Sequence, residues 1–441
     1  MFGACIGSLI NVLVYRMPLG IGVVTPPSRC PACETRLTWR ENIPVLGWIL
    51  LGGRCRFCRS KISPEYPLVE ALAALLFAGL FALWFAIPSE TVWLGVDWGG
   101  LAPDWTRNGF ADTWPTFAVT LVAVACLLAM TLVDAKTFTI PLVLAWIPAI
   151  VAVVALPAHA AWVEFDRGPV SSWIQGDGYW LTPSRERWYA ARGWLWSLAT
   201  PGAGNWRLIG SSIGAVIGLG MSVLLVRLKL IGQSFADYAA WEEKAIAAEE
   251  AAGRDTPELW IQYPHARREM IKELAFVAPP VLLFIAGGWA AYWLVGAMAG
   301  PWTAPAHAYG DPIPPVLAPL WLVVLSGSLL GYLIGGAVVW GVRIFGSLAF
   351  GKEAMGIGDV HLLAGAGACF GWIDVSLGFF AAAFVALFWT ILGFAVGGKL
   401  KRAMPFGPFL AVGTFLVVVC KPAVELFLTL LLSAQSGIDL P

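Results

Sequence analysis

Long apolar runs constrain this 441-residue chain more than any other feature in it. Stretches of roughly 17–25 apolar residues are long enough to cross the hydrocarbon core of a bilayer as helices. They occur at Tyr66–Pro88, Pro115–Val133, Pro141–Pro157, Leu208–Val226, Leu274–Met298, Pro319–Trp340, Val375–Gly397 and Pro405–Leu432. Two shorter runs, Met1–Tyr15 and Val360–Trp372, also read as inserted, the second rich in small residues that suit it to lie against other helices. The expectation is an all-α polytopic membrane protein of about ten transmembrane helices. A composition of 59% hydrophobic and 13% charged residues, with mean hydropathy +0.74, excludes an ordinary soluble enzyme or a β-barrel. Zero formal net charge gives nucleic acid no reason to be a partner. Met1 opens directly onto apolar residues, without the pattern of a cleavable signal.

Lys and Arg set the orientation, because they are retained on the cytoplasmic side. If Arg16–Glu65 lies inside, alternation also places 135–140, 227–273, 341–359 and 398–404 inside. Those five segments hold 21 of the 28 Lys and Arg. The same parity puts two acids, Asp134 and Asp359, on the cytoplasmic side. Asp134 ends one apolar run, and Asp359 opens another after Gly356-Ile357-Gly358. A carboxylate at a membrane boundary is expensive and is usually functional. Two of them suit acid/base chemistry on a peptide bond: one activates water while the other, protonated, polarises the carbonyl. The plainer readings are a helix cap for Asp359 or ion pairs with Lys136 and Lys352.

Eight cysteines fall into two groups. Cys5, Cys126, Cys369 and Cys420 stand singly in apolar runs and read as small core residues. Cys30-Pro31-Ala32-Cys33 and Cys55-Arg56-Phe57-Cys58, separated by 21 residues, have the spacing of a four-thiolate zinc site. A reducing cytoplasmic location disfavours the alternative of disulfides, and free thiols are the other option. With four sulfur ligands the metal has no open position, so it would be structural, in a loop too small to fold without it.

Several segments in order now resemble one family, the type IV prepilin peptidases, which are bifunctional membrane aspartic proteases of the GxGD type. They are Gly7-Ser8-Leu9-Ile10-Asn11-Val12 through Tyr15-Arg16-Met17-Pro18; the two cysteine pairs bracketing Asn42-Ile43-Pro44-Val45-Leu46-Gly47-Trp48; Gly53-Arg54-Cys55; and Ile62-Ser63-Pro64-Glu65-Tyr66-Pro67-Leu68-Val69-Glu70. Asp134 with Ile140-Pro141, Glu353 to Asp359 continuing to Gly371-Trp372, and Pro405-Phe406-Gly407-Pro408-Phe409-Leu410-Ala411 complete the set, over roughly 1–157 and 325–420. The resemblance implies that Asp134 and Asp359, with Gly356 and Gly358 in support, cleave the basic leader from type IV prepilins or type II secretion pseudopilins. The location implied is the cytoplasmic face of the bacterial inner membrane. It further implies N-methylation of the new N-terminus with S-adenosyl-L-methionine as donor, associated with the zinc loop and with Glu70. The plainer reading of Glu70 is a pairing with a neighbouring Arg that only fixes the loop.

The chain departs from the family at Leu142, where Asp or Asn is usual, and at His361, where Lys is usual; both changes bear on the surroundings of the acids. Met1–Tyr15 is short for a span and lacks residues that members carry before the glycine motif, which points to a start upstream. The largest departure is 158–318, with no counterpart in the family core. The organisation expected is a first short helix (1–16), a zinc-binding loop domain (17–65), membrane core (66–157), an insertion with two extra helices (158–318) and membrane core again (319–441), so that an eight-helix core carries the insertion.

Within the insertion, Ala160–Arg207 is Trp-rich and carries five Arg and four acids, as an interfacial loop would. Phe235–Arg268 reads as partly helical and solvated. Glycines at 214 and 218, and at 327, 331 and 335, have the spacing of closely packed membrane helices. The four histidines form no metal or triad pattern, and Ser8 has no base nearby to make it a nucleophile. Two other functions stand beside the bifunctional enzyme. One is a peptidase that does not methylate. The other is a proton-coupled transporter, which internal repeats and acids at mid-membrane would mark; the chain has neither.

Overall fold

The computed structural model describes residues 1–88, 90–103, 105–106, 109–167, 205–251, 263–303, 315–397 and 405–432. It is a helical bundle. Among the described residues, seven helices are long and apolar enough to cross a membrane. These are α3 (Glu65–Phe81, continued by a π turn at Ala82–Ala86), α4 (Phe110–Thr137), α5 (Leu142–Arg167), α6 (Asn205–Arg227), α8 (Ala266–Ala299), α9 (Leu320–Phe350) and α11 (Trp372–Gly397). All seven contain runs expected from the sequence. The helices extend past several of those runs because a helix does not stop where hydrophobicity stops: α9 runs ten residues beyond Trp340 and α4 four beyond Val133. The Trp-rich loop expected at Ala160–Arg207 is α5 as far as Arg167; its positions 168–204 lie outside the described residues.

One expected span is corrected. The run Pro405–Leu432 is two helices, α12 (Gly407–Val419) and α13 (Lys421–Leu431), bent by 93° at Cys420. Pro422 at the start of α13 cannot supply the N–H that would continue α12. Lys421 is drawn inward as well, its Nζ 2.9 Å from the carboxylate of Asp374 in the first turn of α11, both side chains buried. Removing one partner of such a pair typically costs about 3–5 kcal/mol.

The two short runs are also helical. α1 (Phe2–Arg16) packs on α3, and α10 (Ile357–Phe370) lies at the centre of the bundle against α4, α5, α9, α11 and α12. With 14 residues α10 spans only about 21 Å, short of a bilayer core of about 30 Å. Its place among other helices makes that length tolerable: Val360, Leu362, Leu363, Ala364, Ala366 and Ala368 are all buried in protein. Gly331 of α9 and Gly367 of α10 cross backbone to backbone, and a Cβ on either would strike the other's carbonyl oxygen. Gly335 lies against Leu363 of α10, and Gly214 and Gly218 of α6 against Leu283, Pro279 and Pro280 of α8, as their spacing predicts; Gly327 faces open space and does not. The outward faces of α8 and α11 expose Trp289, Trp293, Phe380, Phe384, Phe388 and Trp389, as lipid contact requires.

Two smaller helices are α7 (Tyr238–Ala251), mostly exposed as its charge pattern predicts but with Tyr238 buried in a cluster with Met270 of α8 and Ile344 of α9, and α2 (Leu46–Leu50) in the cysteine loop.

Candidate functional site

The acidic site forms where three helix ends meet. Asp134 lies in the last turn of α4 and is buried. The chain then turns through Phe138, in left-handed conformation with its N–H bonded to the Asp134 carbonyl, and returns through Ile140-Pro141 into α5. Asp359 is the third residue of α10, behind Gly356 at the N-cap, and is half-buried. It is therefore not the first residue of its helix. From the third position its carboxylate turns back toward the N-cap, with Oδ2 3.7 Å from where a Cβ on Gly356 would stand. Both aspartates flank Ile140, whose side chain lies against Gly358, next to Asp359, and against Gly407, which bonds Asp134. Lys136, one alternative partner for Asp134, instead pairs with Glu65 at 2.8 Å.

The third helix end is α12. The Gly407 N–H donates to Asp134 Oδ2 at 3.1 Å, and a Cβ on Gly407 would stand 2.5 Å from that oxygen. Here the absence of a side chain is a requirement. The positive end of a helix thereby faces Asp134. Ile140 fills the space between, its side chain 3.0 Å from where a Cβ on Gly358 would stand and 3.1 Å from one on Gly407. Gly358 thus admits Ile140, whereas Gly356 is exposed and leaves the site open on that side. Sequence reasoning gave Gly407 no role beyond membership of a motif. The usable signal was Gly407-Pro408 at a helix start in a chain with an acid to receive a free N–H. Replacing Gly407 by Ala is expected to push the Asp134 carboxylate aside. A displacement of about 1 Å in a reacting group can lower a rate on the order of 100-fold, so Gly407→Ala is a sensitive test of any chemistry assigned to Asp134, read as rate per folded molecule.

The cysteine loop is a duplicated knuckle. Cys30 and Cys55 each donate their N–H to the carbonyl five residues on (Thr35, Ser60) and accept from the N–H four residues on (Glu34, Arg59). Glu34 and Arg59 are both left-handed, with φ of 54° and 60°. Bridges Arg29–Arg36 and Arg54–Lys61 close the two turns in the same way. The four Sγ atoms of Cys30, Cys33, Cys55 and Cys58 lie within 4.8 Å of one another, with Cys30 and Cys58 3.8 Å apart. Four sulfurs about 2.3 Å from a tetrahedral metal are about 3.8 Å apart, so the set fits a metal ion. The Cys33 and Ala32 N–H groups draw the Cys30 thiol down to about 6, toward the thiolate a metal needs. Thr38 and Arg56 hold the Glu41 carboxyl down at about 2, tying the connector to the second knuckle.

Two side chains fasten this loop to the membrane helices. Arg16, buried at the end of α1, donates to the carbonyls of Gly22, Val23 and Pro26. Glu70, buried in α3, accepts the Val45 N–H at 2.7 Å. An arginine partner was the plainer expectation for Glu70; the observed partner is a backbone N–H at the start of α2.

The family model of the bacterial peptidase A24 N-terminal domain matches residues 1–84, which include the cysteine loop and Glu70. A prepilin leader peptidase/N-methyltransferase from Myxococcus xanthus (strain DK1622) is 53% identical over 75 residues, 17% of this chain and 22% of that protein. A type 4 prepilin-like proteins leader peptide-processing enzyme from Escherichia coli O78:H11 (strain H10407 / ETEC) is 32% identical over 149 residues, 24% of this chain and 55% of that protein. A prepilin leader peptidase/N-methyltransferase from Pectobacterium carotovorum subsp. carotovorum is 28% identical over 160 residues, 32% and 48% of the two chains. The chain thus spans 22% to 55% of the length of these relatives. No solved structure matches it. The resemblance to the type IV prepilin peptidases read from the motifs is borne out, residues 1–84 being similar to the bacterial peptidase A24 N-terminal domain.

Proposed function

We propose that this protein is a membrane aspartic endopeptidase that removes the leader of type IV prepilins or type II secretion pseudopilins at the cytoplasmic face of the inner membrane. The observation that carries this reading is the meeting of Asp134, Asp359 and the Gly407 N–H at one end of the bundle. Carboxylates within range of each other favour holding one proton between them. The ionised one takes a proton from water as the water oxygen attacks the scissile carbonyl, and the protonated one hydrogen-bonds the carbonyl oxygen as it gains charge. Collapse of the adduct expels the amine, which takes the proton back. Cleavage assays of asparagine variants at both positions are the test, developed in the Discussion.

On the same reading, 17–65 is a zinc-binding domain, 66–157 and 319–441 form the membrane core, and 158–318 is inserted. The domain takes part in methylating the new N-terminus. S-adenosyl-L-methionine would supply an electrophilic methyl group. The protein must present a deprotonated amine to it in line. Glu70 fits that role, being buried beside the loop with its Oε2 holding the Val45 N–H and, among the described residues, no hydrogen bond to its Oε1. Glu70→Gln keeps an acceptor for Val45 but removes the charge, whereas Glu70→Ala removes both. The expectation is that Gln leaves leader cleavage within about twofold and lowers methyl incorporation at least about 100-fold. Full methylation by Glu70→Gln, with loss only in Glu70→Ala, would reduce Glu70 to an anchor. Wild-type protein that cleaves but never methylates would leave a peptidase alone.

A further inference from the structure

The segment 158–318 is wired into the loop that leads into α10, the helix of Asp359. Glu273, on α8 of that segment, is buried and lies 3.0 Å from Nε of Arg343, a buried residue of α9. Its carboxylate also accepts from the Trp340 indole N–H and the Ser234 hydroxyl, so its orientation is set from three directions. The Arg343 guanidinium packs over the Phe235 ring at 5.1 Å and turns its Nη1 toward α10. There Nη1 donates both to the Glu353 carboxylate and to the Met355 carbonyl. The Tyr263 N–H adds a second tie from the same segment, to the Gly351 carbonyl at 2.6 Å.

The Met355 carbonyl and the Gly356 N–H belong to one planar peptide unit. Arg343 holds its oxygen, and the Asp359 carboxylate lies beside its nitrogen end, Oδ2 being 3.7 Å from where a Cβ on Gly356 would stand. A guanidinium bonded to the carbonyl both fixes the plane of that peptide and polarises its N–H. A planar fork with several donors does this while also holding Glu273; a lysine ammonium has no such geometry.

We propose that Arg343, oriented by Glu273, is a positioning residue for Asp359, acting through the single Met355–Gly356 peptide. The segment 158–318 is then part of the support of the acidic site and not an appendage. The inference rests on the reading of Asp359 as catalytic.

The test is steady-state leader cleavage by the full chain in lipid nanodiscs, with kcat normalised to monodisperse folded protein. Arg343→Met is expected to lower kcat on the order of 100-fold and Arg343→Lys on the order of 10-fold, with KM within about twofold of wild type. Glu273→Gln keeps an acceptor for Trp340 but weakens the hold on Arg343, and is expected to lower kcat about 5- to 10-fold, again without a change in KM. Wild-type kcat per folded molecule in Arg343→Lys and Glu273→Gln overturns the proposal, as does a loss confined to KM. These two variants carry the test if Arg343→Met does not fold. Asp359→Asn is assayed alongside: if it still cleaves, the catalytic reading has failed; if it is inactive while the other variants turn over normally, this inference alone has failed.

Discussion

Replacing either Asp134 or Asp359 by asparagine is expected to lower leader cleavage by about 10³-fold or more while the protein stays inserted and folded. Asparagine is nearly isosteric, and its amide oxygen can still accept the Gly407 N–H at position 134 or lie beside Gly356 at position 359. The fold therefore loses little, but neither amide can take a proton from water or hold one for the carbonyl oxygen. The measurement is processing of a purified prepilin by each variant at matched size-exclusion profiles. Near wild-type processing by either variant would sink the pairing of the two acids. Equal loss in both is the signature of a dyad that acts as one unit.

Removing the metal proposed for the four cysteines is expected to have the second largest effect, confined to the cysteine loop. Within 17–65 the buried residues are Cys30, Gly47, Gly53 and Cys55, so the loop has no apolar core of its own. Its two knuckles depend on what joins the four sulfurs, and structural zinc supplies on the order of 10–16 kcal/mol in small isolated domains. Cys55→Ser, or a strong chelator, should release one zinc per chain, expose 17–65 to proteolysis and stop methyl transfer. The acidic site lies on α4, α10 and α12, so cleavage should persist within a few fold. Elemental analysis that finds no zinc, with all four thiols open to alkylation, would refute the assignment.

The sequence alone determined the class of the protein and most of its spans. Long apolar runs admit few solutions in lipid, and each span is specified locally by its own residues. The cysteine pairs were equally legible, because a C-x2-C turn is local and the chemistry of four thiols is restrictive. The bend at Cys420 was not legible, since the run stays apolar on average across Lys421, Pro422 and Glu425, and the ion pair that turns Lys421 inward involves a residue of another helix. The acidic site divides in the same way. The two aspartates stood out by their cost at a membrane boundary. Their meeting, the Gly407 N–H aimed at Asp134 from 273 positions away, and the Glu273–Arg343 link to the Met355 peptide were decided by tertiary structure. Hydrophobic periodicity specifies which segments insert, but helix order and rotation in the bundle depend on close backbone crossings such as Gly331 with Gly367 and on buried polar bonds between distant segments. Those interactions have no local signature, so only the folded bundle could reveal them.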